Sequence, residues 1–149
     1  MRRVLVTASR KWTARTPIWK ALHNEWLIAS AAGEGLIVVH GGAAGGDDIA
    51  DRWTWGMHQQ GLNIRPEVHR PDYERWGKKA PLVRNGIMAR DGADVCHAFP
   101  LKGTGGTRQC MSEAFCYGIP VVNHGFQPYT AQAMEWARCY GSILKGLDV

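Results

Sequence analysis

The sequence predicts a single α/β domain: one doubly wound parallel sheet of about five strands, order 3-2-1-4-5, with helices on both faces. Three observations lead there. Short apolar runs alternate with helix-period segments five times along 149 residues. Two of the runs end in glycine-rich turns that open the next helix, at 41–46 and 103–107. No linker, internal repeat or low-complexity tract breaks the chain, so residues 1–149 are read as one domain.

The elements follow in order. Residues 3–7 (RVLVT) read as the first strand, ending in the polar turn Ala8-Ser9-Arg10. Thr16-Pro17 marks a helix start, with Thr16 as cap, and Ile18, Leu22, Trp26 and Ala29 form its buried stripe. Leu36-Ile37-Val38-Val39 is a continuous apolar run, as a strand buried on both faces requires. After His40 come Gly41-Gly42-Ala43-Ala44-Gly45-Gly46 and then Asp47-Asp48, one of which is expected to cap the next helix. That helix carries Ile49, Ala50, Trp53 and Met57 on its apolar side and stops at Gly61. Residues 63–69 make a less apolar strand, placed at an edge because Pro66 cannot donate to a ladder.

Residues 70–81 read as a polar loop with an aromatic pair, Tyr73 and Trp76. Residues 82–90 form a helix with Val83, Ile87 and Met88 inward. Arg84 and Asn85 fall in its first turns, where a cation opposes the helix dipole. A fourth strand (94–99), the turn Gly103-Thr104-Gly105-Gly106-Thr107, a helix (107–117), a fifth strand (119–123) and a last helix (129–144) complete the chain. The last helix is expected to bury Ala133, Trp136, Ala137 and Tyr140.

The strand order brings the loops after strands one, two and four to one crevice, at the end of the sheet where ligands gather. Glycine allows close backbone approach there, and unpaired N–H groups at a helix start favour an anion. Ser9, Arg10, the two glycine turns, Arg84 and Asn85 are therefore the candidate ligand contacts.

Composition narrows the partners. The formal charge is +5, spread over the chain, which suits a phosphorylated small molecule or nucleic acid. The four cysteines show no C-x-x-C spacing, so reduced thiols and no metal site are expected. The histidines His40, His69, His97 and His124 fall at or near strands and are read as structural, with two of them able to meet. No apolar run is long enough to span a bilayer, and no cleavable leader is legible, which points to the cytoplasm. Seven tryptophans exceed what one small core can bury, so some should line a pocket or subunit contact.

Taken together, Val6-Thr7-Ala8-Ser9-Arg10, His40-Gly41-Gly42-Ala43-Ala44-Gly45-Gly46-Asp47, Arg84-Asn85, residues 94–100 and Gly103-Thr104-Gly105-Gly106-Thr107 resemble the SLOG superfamily, a Rossmann-like group that includes the Lonely Guy phosphoribohydrolases and DprA. Within it the pattern is most similar to the YspA (cpYpsA-related) family, found in bacteria and their phages. The resemblance implies a nucleotide or nucleotide-derived ligand and no further cofactor. Gly41, Gly42, Gly45 and Gly46 would cradle one phosphate, and Gly103, Gly105, Gly106 and Thr107 a second. Thr7, Ser9 and Arg10 would add contacts, and Asp47 could hold a ribose hydroxyl. A homodimer is implied as well. Two departures stand out. Ala8 replaces a glycine, and Cys110 occupies the place of the glutamate that Lonely Guy enzymes use for glycoside cleavage.

Three functions follow as expectations. The first is nucleotide binding or sensing without robust turnover. The second is a nucleotide hydrolase, with Glu113, Asp47 or Asp48 activating water and Arg10, Arg84 or Lys102 holding phosphate. The third is single-stranded nucleic-acid binding, with Trp12 and Trp76 as stacking platforms.

Overall fold

The computed structural model describes residues 1–149. The strands are β1 (Arg2–Ala8), β2 (Leu36–His40), β3 (Ile64–Val68), β4 (Val95–Phe99) and β5 (Val121–Asn123). The helices are α1 (Arg15–Ala31), α2 (Gly46–Gln59), α3 (Tyr73–Trp76), α4 (Ala80–Asp91), α5 (Gly105–Cys116) and α6 (Pro128–Tyr140). All five strands form one sheet, order β3-β2-β1-β4-β5, and every pair is parallel. The expected fold class and strand order are the observed ones.

Side chains alternate across the sheet. One face of β1, β2 and β4 (Val4, Val6, Val38, Phe99) packs against Ile18 and Leu22 of α1 and Ala50 and Trp53 of α2. The other face (Leu5, Ile37, Val39, Cys96) packs against Met88 of α4 and Cys110 and Ala114 of α5. Helix α6 lies beside α5, with Tyr129 and Ala133 against Met111. The edge placement of β3, with Pro66 in it, holds.

Several local expectations are corrected. Helix α1 begins at Arg15 with Ala14 as a cap that makes no side-chain bond, so Thr16 lies inside the helix. The Trp12 indole donates to the Ala14 carbonyl and fixes the entry instead. Helix α2 is preceded by Gly45, and neither Asp47 nor Asp48 caps it. The segment 70–81 is not all loop, because Asp72 accepts from the Arg75 N–H and nucleates α3, followed by a 3₁₀ turn. On α6 the outward residues include Trp136 and Tyr140, 51% and 67% exposed, because Tyr129 and Ala133 supply its buried side.

A polar chain crosses the α1 face. Arg2 pairs with Glu25 at 2.6 Å, Glu25 meets His97 Nε2 at 2.8 Å, and His97 Nδ1 meets His124 Nε2 at 2.7 Å. Glu25 falls within the apolar stripe of α1, and the partners explain its burial. His97 and His124 are the histidines that meet. No helix is long and apolar enough to cross a membrane.

Candidate functional site

The loops after β1, β2 and β4 converge with the start of α4 around a crevice with two adjoining chambers. The first is about 430 Å³ and is lined by Ser9, Arg10, Asp47, Arg84, Asn85 and Thr107, among others. The second is about 480 Å³ and lies over Gly41 to Ala44, with Arg10, Arg70, Tyr73 and Arg84 around it. Arg10, Ala43 and Arg84 border both.

The two glycine turns differ in what they leave open. In the β2–α2 turn, Gly41 N–H and Ala43 N–H donate to Asp47 Oδ2 at 3.2 and 3.3 Å, and Gly42 N–H donates to His40 Nδ1 at 3.0 Å. The Gly46 N–H donates to the Ser9 carbonyl at 3.2 Å. The β1 loop therefore sits on the start of α2. A Cβ on Gly45, whose φ is 76°, would stand 2.3 Å from the Arg10 carbonyl oxygen, and one on Gly46 would stand 2.1 Å from the Ala8 Cβ. These glycines serve loop-on-loop packing, and neither borders the crevice. Asp47 and Asp48 also place acid in the first turn of α2, which opposes an anion there.

The β4–α5 turn is the open one. Gly103 N–H donates to the Tyr129 hydroxyl at 2.9 Å, and Thr104 N–H donates to the Leu101 carbonyl at 3.2 Å. The N–H groups of Gly105, Gly106 and Thr107 are bonded to no protein acceptor. No acidic residue lies in the first turn of α5. Thr104, Gly106 and Thr107 border the first chamber, whereas Gly103 and Gly105 do not.

Asp47 is the carboxylate of this crevice. Its residue is 5% exposed, and its Oδ1 has no hydrogen-bond partner. Burial raises its pKa, against the pull of His40, of Arg84 and of the two backbone donors. Arg84 is buried and donates to Gly41 O at 2.6 Å, His69 O at 3.2 Å and Asn85 Oδ1 at 2.8 Å. It ties α4 to the ends of β2 and β3, and its charge faces both chambers. Asn85 donates in turn to Gln109 Oε1 at 2.8 Å. Beneath Thr7, burial pushes the Cys110 thiol up to about 12, so it stays protonated.

The remaining candidates lie elsewhere. Glu113 is 2% exposed and accepts from Ser142 Oγ at 3.0 Å and Ile143 N–H at 2.9 Å. Its carboxylate is turned to the C-terminal segment, so it is withdrawn as a water-activating residue. Asp48 pairs with Arg52 on the outer side of α2. Lys102 lies 5.9 Å from the Phe126 ring and outside both chambers. Trp12 is buried against Phe99 and offers no stacking face to a nucleic acid, whereas Trp76 lies between Arg75 and Lys79. Lys11, Arg70, Tyr73 and Lys78 border the crevice and were not among the candidates; the basic character of 70–81 signalled Arg70 and Lys78, and the aromatic pair in that segment signalled Tyr73.

A family model described as "YspA, cpYpsA-related SLOG family" matches residues 2–76, which hold β1, β2 and the loops that follow them. The chain belongs to the YspA, cpYpsA-related SLOG family. It is also 58% identical over 128 residues to the Gene 61 protein of Mycobacterium phage D29, covering 86% of this chain and 100% of the phage protein. For this SLOG protein the family assignment rests on the β1 and β2 side of the crevice. The α4 and α5 contributions lie beyond the residues that the family model matches.

Proposed function

We propose that this SLOG protein binds a nucleotide or nucleotide-derived ligand in the crevice, as a sensor or processing protein. The observation that carries the reading is the start of α5: three N–H groups without acceptors, no acid in its first turn, and a chamber bordered by Arg10, Lys11, Lys78 and Arg84. A phosphate is the ligand group that such a helix start favours. Asp47 lines the same chamber, and its buried Oδ1 has no partner within the protein, so a sugar hydroxyl that reaches it would supply the missing donor. The mixed donors and acceptors of Ser9, Asn85 and Thr107 suit the polar edges of the same molecule. If the ligand is hydrolysed, Asp47 is the carboxylate placed to assist. The protein is further proposed to work in the cytoplasm as a homodimer, with the exposed faces at Trp19, Trp55 and Trp136 as candidate contacts.

The reading is tested by mass spectrometry of small molecules released from the purified protein, in wild type and Gly106→Asp. A Cβ at Gly106 meets nothing within 4 Å, so the variant folds and brings a carboxylate to the phosphate position. A nucleotide-type molecule released by wild type and absent from the variant is the expected result. The variant should also melt at or above the wild-type temperature, because an acid in the first turn suits the helix dipole. Equal recovery from both proteins would place the ligand somewhere other than the start of α5.

A further inference from the structure

The second chamber gives the crevice a cationic end that a single phosphate at α5 leaves unused. Its charged lining is Arg10, Arg70 and Arg84, with no carboxylate among them. Arg84 has three hydrogen bonds within the protein. Arg10 makes no side-chain bond, and Arg70 makes a single long one, 3.5 Å to the Gly42 carbonyl. Arg10 also lies close enough to Arg84 to repel its charge, a cost that an anion between them removes. The chambers meet at this arginine pair. A chain of negative charge entering from the first chamber passes Arg10 and Arg84 before it reaches Arg70.

We infer that the ligand carries at least two phosphate groups in sequence, the nearer at the start of α5 and the farther in the chamber between Arg10 and Arg70. This rests on the nucleotide reading above and adds the phosphate count. Arginine suits the role, since its planar fork engages two phosphate oxygens at once and keeps its charge at any working pH. Arg10 follows β1 and Arg70 follows β3, the two neighbours of β2, so the sheet brings both residues to the chamber over Gly41 to Ala44.

The experiment is a calorimetric titration at fixed ionic strength. The probes are the mono-, di- and triphosphates of adenosine and of guanosine, with inorganic phosphate and pyrophosphate alongside. The proteins are wild type and Arg70→Ala. Arg70 is exposed and carries little of the fold, so its removal leaves the protein intact. Wild type should bind at least one diphosphate ten times more tightly than its monophosphate. Arg70→Ala should lower that diphosphate to the monophosphate level and leave the monophosphate within twofold. Equal mono- and diphosphate affinities in wild type, or a preference that persists in Arg70→Ala, would overturn the phosphate count and leave the nucleotide reading standing. Absence of binding by every nucleotide would overturn both.

Discussion

Asp47 is the residue in which folding and function oppose each other most clearly. Its Oδ2 organises the β2–α2 turn through Gly41 and Ala43, while its Oδ1 is buried without a donor. Burial raises its pKa above the ordinary 3.8. Stability from such a group is fully present below pH 3.8 and is lost as pH rises through the folded value. Asp47→Asn keeps an oxygen for the two backbone donors and removes the buried charge. The variant is expected to melt above wild type at pH 7, with the gap closing as the pH falls to 3. It should also bind the ligand roughly ten- to a hundredfold more weakly, since a hydrogen bond to a charged acceptor is worth about 1.5–3 kcal/mol. Thermal melts across pH, read beside ligand titrations, check both halves, and a variant less stable than wild type at pH 7 would contradict the first. Asp47 was a candidate in the sequence because it closes the run from His40 to Asp47. Glu113 was misread because spacing along α5 does not show that Ser142 and Ile143, 29 and 30 residues on, bond its carboxylate.

At the scale of elements, two glycine turns that look alike in sequence end up in different surroundings. Both follow a buried strand and open a helix, and position along the chain does not distinguish them. The difference is tertiary. The Ser9 carbonyl takes the Gly46 N–H of α2, whereas nothing in the protein approaches the N–H groups of Gly105, Gly106 and Thr107. The glycine spacing could show that close approach was needed, but not whether a ligand or a neighbouring loop would make it. The segment holding Arg70, Tyr73 and Lys78 was hidden for another reason. A single turn of helix nucleated by Asp72 leaves no periodic signal, so a basic stretch that borders both chambers read as solvated loop. The buried Glu25 was hidden in the same way, since its partner His97 lies 72 residues away in sequence.

Across the whole molecule, the strand order was legible because parallel sheets leave few right-handed solutions, and that order gathers the three loops at one end. A clasp crosses the sheet diagonally, from the start of β1 to the end of β3. Arg3 of β1 reaches over β2 to Glu67 of β3, with both guanidinium nitrogens on the carboxylate at 2.9 and 2.7 Å. The Arg3 guanidinium, helped by His69, holds Glu67 at about 2, below its ordinary 4.5. A depressed carboxylate contributes stability that is present above pH 4.5 and lost as pH falls toward 2. Glu67→Gln should therefore flatten the acid limb of the melting profile between those values and have little effect on ligand affinity. An unchanged limb would show that the clasp is screened by solvent.

The central claim, that a nucleotide-type ligand occupies the crevice at the end of the sheet, is tested most directly by backbone amide chemical shifts. The protein is titrated with the nucleotide that its own purification identifies. The account predicts that the largest shifts fall at 9–11 and 104–107, with Ala44 and Arg70 following, while α6 and the start of β1 stay unmoved. Shifts confined to α6 or to the Trp19–Trp55 side, or produced by single-stranded DNA and not by the nucleotide, would contradict it.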